Sequence, residues 1–88
     1  SMIETESEDI LLSNECLGMK VFDLNGHNMG TVIRVESYPA NDVFVVDTGH
    51  SEIMIPIVKD FILLIDKQLK RIETARCDEF PEYPKGGI

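Results

Sequence analysis

Turn-forming residues break this chain so often that no segment between them carries a helical period for more than about two turns. "NG" at Asn25-Gly26 is the strongest of these signals, because both residues tolerate positive φ and suit a tight hairpin. Further turns fall at Pro39–Asp42, at "DTGHS" (Asp47–Ser51) and at "KQLK" (Lys67–Lys70). Between them lie several short apolar runs, spaced roughly 8–12 residues apart as in small sandwiches and barrels. Barrel closure is favoured because it removes the exposed edges of a sheet. The expected fold class is all-β: a small antiparallel barrel of about six strands with irregular N- and C-terminal tails.

The runs themselves carry the strand period. In "TVIRVESY" strict alternation puts Ile33 and Val35 on one face, and Arg34 and Glu36 on the other. "VFVV" (Val43–Val46) is continuously apolar, as expected of a strand covered on both faces. Phe44 and Val46 would share one face, Val43 and Val45 the other. "EIMIPI" should end or reach an edge at Pro56, which cannot donate to a ladder. "VKDFILLID" holds either a short helical turn and a strand or one bent strand. The sequence after Cys77, "DEFPEYPKGGI", is rich in proline and glycine and reads as a tail. The resulting boundaries are 1–15 for an acidic linker, 16–77 for the domain and 78–88 for the tail.

Charge narrows the function classes. The 88 residues carry a formal net charge of −8. Residues 1–15 hold five acids and no base, whereas residues 16–77 hold eight acids and seven bases. A nearly neutral body offers no basic face for gripping a nucleic-acid backbone at large. No apolar run approaches the roughly 20 residues of a membrane span, and the start is acidic where a signal peptide is basic. A cytoplasmic location with no membrane contact is expected. Cys16 and Cys77 are too few for a disulfide framework. A bond between them would tie the two ends of the body, but free, partly buried thiols suit a cytosolic chain better.

Chemistry-bearing residues are sparse. His27 and His50 sit in expected turns, and neither they nor the cysteines show metal-ligand spacing. Ser13, Ser37 and Ser51 lack a nucleophile-elbow context, and the histidines have no obvious carboxylate orienter. Gly26, Gly30 and Gly49 read as single turn residues, not as a phosphate loop. Catalytic, cofactor and metal residues are therefore expected to be none. Lys67, Lys70, Arg71 and Arg76 form the one basic concentration. Of these, Lys67, Lys70 and Arg71 are the candidates for RNA phosphate contact, against the plainer role of solvating a hairpin. Asn41-Asp42 offers either a hydrogen-bonding corner to a partner or the side-chain-to-backbone bonds that fix a turn.

Taken in order, "LGMKVFDLNGHNMGTVIRV", "NDVFVV", "EIMIPIV" and "LLIDKQLKRIET" resemble the C-terminal PRC-barrel domain of RimM-type bacterial ribosome maturation factors, from about Leu17 to Thr74. The resemblance implies a PRC-type barrel and a non-enzymatic assembly factor without cofactor or small-molecule substrate. Its implied partners are small-subunit ribosomal protein number nineteen, the immature small ribosomal subunit and neighbouring rRNA. Its implied work is maturation of the subunit head and the accompanying rRNA processing. The acidic opening would correspond to the linker from a preceding barrel domain.

Where the family often carries an aromatic pair and a tryptophan, this chain has Leu11, Leu12 and Ser13. Ile10, Leu11 and Leu12 are thus the first candidates for partner docking, with capping of the barrel's open end as the plainer alternative; Asn41 and Asp42 come second. PRC-barrels also resemble a domain of the photosynthetic reaction centre's H subunit, an accessory of electron transfer. The "IP…D…KRI" ending favours the ribosomal branch.

Overall fold

A computed structural model describes residues 15–84. Among them seven strands form one sheet: β1 Lys20–Phe22, β2 Asn28–Ser37, β3 Asp42–Asp47, β4 Ser51–Pro56, β5 Ile62–Asp66, β6 Arg71–Thr74 and β7 Glu82–Pro84. Their spatial order is β5-β6-β1-β2-β3-β4-β7. Each tight turn joins antiparallel neighbours, as hairpin geometry requires. "VKDFILLID" resolves into a turn, in which Ile62 N–H donates to the Val58 carbonyl at 2.9 Å, followed by β5.

Two expectations need correction. The pairing is not wholly antiparallel: β1 and β6 run parallel, with Val21 opposite Ile72. No turn joins those two strands, so no local signal fixed their relative direction. Nor is the stretch after Cys77 wholly irregular. Phe80 is buried against the edge of the Phe61 ring, with centroids 5.3 Å apart, and β7 then pairs with β4. Pro84 is tolerated there because β7 is an edge strand.

Alternation places one hydrophobic core on one face of the sheet. Val21, Val32, Phe44, Val46, Ile55 and Ile72 are its centre, and residues from β5, at one end of the strand order, and from β4, next to the other end, join the same cluster. A sheet whose ends share one core must curl around it. The Phe61–Phe80 contact brings the segments just before β5 and β7 together, although no backbone pairing joins those strands among the described residues. The fold is a curled, barrel-like sheet whose end strands are approached by one ring contact. Burying each large aliphatic side chain contributes about 1.5–3 kcal/mol, so a handful of core residues decides stability.

Two local features depart from simple alternation. A bulge in β2 pairs Val32 and Arg34 with the adjacent Val46 and Val45. Ile33 is therefore the extra residue, 41% exposed and outside the strict alternation that grouped it with Val35. Gly30 lies inside β2 opposite Val21, not in a turn. Its φ is +146°, and a Cβ there would run into the Asp47 carbonyl and the Val46 side chain. Cys16 is a free thiol with no exposure, and burial pushes its pKa up to about 11, as for a structural cysteine.

Candidate functional site

The other face of the sheet carries a shallow depression across β2, β3, β4 and β7. Its rows follow from register. Arg34, Val45 and Met54 stand side by side in the middle row, with Glu36, Val43 and Pro56 in the row on one side of it and Glu52 with Tyr83 in the row on the other. Val45 is 1% exposed although it faces away from the core, because the longer side chains around it close over it. The hollow measures about 410 Å³ and is open to solvent.

A polar network rims this apolar floor. The Arg34 guanidinium donates through Nε to Glu36 Oε2 at 2.8 Å and through Nη2 to Glu52 Oε1 at 3.4 Å. The Tyr38 hydroxyl donates to Glu36 Oε1 at 2.6 Å. Each oxygen of Glu36 thus accepts one strong donor. The Tyr38 hydroxyl, then Arg34, hold the Glu36 carboxyl below the usual glutamate range, and the same carboxylate raises the Tyr38 phenol. Tyr38 and Tyr83 are the chain's two tyrosines, both line the hollow, and they are 47% and 50% exposed. Half-exposed aromatic rings around an apolar floor, with an arginine among them, have the composition of protein-interface anchors.

The residues singled out from sequence fare differently. Ile10, Leu11 and Leu12 lie outside the described residues. Asn41 and Asp42 form the turn into β3: Asn41 Nδ2 donates to the Asp42 carbonyl at 2.8 Å, and Ile57 N–H donates to the same carbonyl at 2.8 Å. Tyr38 N–H donates to the Asn41 carbonyl at 3.2 Å, so this turn abuts the hollow. Lys67 pairs with Glu15 at 2.8 Å. Lys70 occupies the left-handed region at φ +57°, and its carbonyl accepts Lys20 N–H. Arg71 lies over the Phe22 ring at 4.0 Å. The parallel pairing adds Lys20 beside Arg71, a neighbour the sequence did not disclose.

The candidates for chemistry are held in local structure. Ser51 Oγ lies 3.0 Å from Thr48 Oγ1 and donates to Glu82, tying the β3–β4 turn to β7. His27 does have a carboxylate beside it, contrary to the sequence reading: Asp23 Oδ2 is 3.5 Å from its Nδ1. That carboxylate also accepts the backbone N–H groups of Asn25 and His27, an Asx-type turn in the β1–β2 hairpin. No group of three metal-ligating side chains occurs among the described residues.

The tyrosine-lined hollow had a legible half. Arg34, Glu36 and Tyr38 recur at a period of two, which puts all three on one face of a strand and its extension. Tyr83 gave no such signal, because its strand pairs across a long sequence separation.

Comparison with known proteins places the chain. The family described as the RimM PRC barrel domain matches residues 13–79. A ribosome maturation factor RimM from Thermosipho melanesiensis is 39% identical over 67 residues, covering 75% of this chain and 38% of that protein. The RimM of Phocaeicola vulgatus is 34% identical, with 86% of this chain and 44% of that one covered. The RimM of Thermotoga petrophila is 41% identical, over 75% and 38% respectively. This chain thus spans about two fifths of the length of the curated relatives it matches. A crystal structure of a 16S ribosomal RNA processing protein RimM from Pseudomonas aeruginosa superposes with a TM-score of 0.65 at 24% identity, over 72% of this chain and 42% of that one. It shares the fold.

Proposed function

Because this chain belongs to the RimM PRC barrel domain family, we propose that it is a non-catalytic binding module in maturation of the small ribosomal subunit. Its partner in this reading is small-subunit ribosomal protein number nineteen, met on the immature subunit head in the cytoplasm. The observation that carries the reading is the outer face: a buried Val45 floor with two half-exposed tyrosines around it. Such a surface suits docking of another protein, since aromatic and arginine anchors over a desolvated floor supply most interface energy. The reaction-centre alternative is set aside, because the family that matches is the ribosomal one.

The mechanism requires no bond to be made or broken. A module that binds one arrangement of the assembling head more tightly than another shifts the population toward it. Ile10, Leu11 and Leu12 would extend the docking surface from the linker, and the Asn41-Asp42 turn would border it. Lys67, Lys70 and Arg71, joined by Lys20, would supply any contact with neighbouring rRNA; this second role is favoured by the Lys20–Arg71 register alone.

Co-sedimentation with ribosomal particles tests the proposal. Enrichment with immature small subunits over mature ones is expected, together with direct binding to purified protein nineteen. Equal or absent sedimentation with both particles would overturn it.

A further inference from the structure

We infer that the hollow between Tyr38 and Tyr83 receives an arginine side chain of the partner's docking segment, its guanidinium set against the rings and the Glu36 and Glu52 carboxylates. This deepens the docking role proposed above and rests on it. The inference begins with charge. Of the three side chains in the lining that are charged at neutral pH, Arg34, Glu36 and Glu52, two are acidic. A phosphate entering here would meet two carboxylates against one guanidinium, a balance that favours a cation. The chain's net charge of −8 also favours approach of a basic partner over distance.

The rings supply the second element. A guanidinium is attracted to an aromatic face and is more weakly hydrated than an ammonium, so it suits a site that is half apolar. Tyr38 is held by its hydroxyl bond to Glu36, which presents a fixed ring. Tyr83 stands in register with Glu52, so ring and carboxylate are side by side on the far wall.

The third element is an occupant already present. Arg34 lies in this setting, bonded to both carboxylates, and shows that the geometry accommodates a guanidinium. Glu36 accepts one donor at each oxygen from these partners, and an ionised carboxylate has about four acceptor sites. A second guanidinium can therefore be added. Arg34 is itself half-exposed, and an ion pair so placed is weak enough to rearrange when a partner arrives.

The chain provides its own reporter. It has no tryptophan and two tyrosines, both in this hollow, so intrinsic tyrosine emission reads the site alone. The full chain is titrated with acetyl-Gly-Arg-Gly-Arg-Gly-amide and with the peptide carrying citrulline, a neutral isostere, in place of arginine. A saturable change with the arginine peptide is expected, with roughly tenfold weaker binding of the citrulline peptide, the scale of one charge-assisted contact. Glu36→Gln/Glu52→Gln should weaken the arginine peptide by a similar factor. Glu52→Gln alone, which leaves the Tyr38–Glu36 bond intact, should lower affinity at an unchanged melting temperature.

Equal response to the two peptides, or equal affinity in both variants, would overturn the inference. So would a stronger response to a single-stranded RNA oligonucleotide, which would make this an anion site. Peptide discrimination without co-sedimentation would sink the assembly role and leave the receptor standing; the opposite pair of results would do the reverse.

Discussion

Arg34-Glu36 in β2 and Arg71-Glu73 in β6 are the same local motif, an arginine and a glutamate two residues apart on one strand face, put to opposite uses. Arg34 reaches Glu36 at 2.8 Å and remains half-exposed at the rim of the hollow. Arg71 lies over the Phe22 ring at 4.0 Å, with its Nε 3.3 Å from Glu73 but making no hydrogen bond. What stands across the ladder decides the difference. Arg34 faces Val45 and Met54, whose side chains stop at the floor and leave the guanidinium above them. Arg71 is beside β1, where the Phe22 ring offers a surface to cover, so its stem and head become packing. A strand motif therefore does not declare a site by itself; the neighbouring strand converts it into a lid or a contact.

The severest way to break this contrast is to charge the floor. Val45→Asp should cost several kcal/mol, comparable with the whole stability of a small domain, because a carboxylate would be buried in an apolar position. An unchanged thermal melt would mean Arg34 neutralises the new acid and that the floor is wetter than described. Gly30→Ala strikes the junction of the two regions, where β2 abuts Asp47. With φ at +146° and no room for a Cβ, it should lose about 2 kcal/mol or more by chemical denaturation. Loss within experimental error would show that β2 can move aside there.

Paired ring deletions sharpen the comparison at smaller scale. Phe22→Ala removes the platform under Arg71 and should cost roughly 1–3 kcal/mol of stability with little effect on partner binding. Tyr38→Ala should change stability by no more than about 0.5 kcal/mol, as surface substitutions do, yet weaken docking. The reverse assignment of effects would exchange the roles of the two regions. Smallest is the response to pH. Glu36 has its pKa lowered in the fold, so its contribution is present at neutral pH and fades as acidification passes through that depressed value. Glu36→Gln should correspondingly bring the raised Tyr38 phenol back down, read by phenolate absorbance.

Much of the fold was legible because its information is local. Asn25-Gly26 fixed a hairpin, Pro56 ended β4, and the continuous Val43–Val46 run announced a strand buried on both faces. What escaped depends on distant pairing. The β1–β6 parallel ladder and the β4–β7 ladder join segments with no turn between them, so periodicity carries no trace of either. The proline-rich end hid Phe80 and Tyr83, whose burial and placement exist only once β4 is formed. The candidate site was half visible for the same reason: Arg34, Glu36 and Tyr38 share a local period, while Glu52 and Tyr83 arrive by tertiary pairing. Asn41 and Asp42 were noticed for a real feature, a turn that borders the hollow, and its bonds are those of a turn.

The central claim is that the tyrosine-lined face, not the basic flank, carries docking to the immature small subunit. Co-sedimentation of Tyr38→Ala/Tyr83→Ala beside Lys67→Gln/Lys70→Gln tests it most directly. The account expects the tyrosine variant to lose about tenfold or more in affinity, as for removal of interface anchors, with the lysine variant close to the unsubstituted chain. Undiminished binding by the tyrosine variant, with loss in the lysine variant, would contradict it.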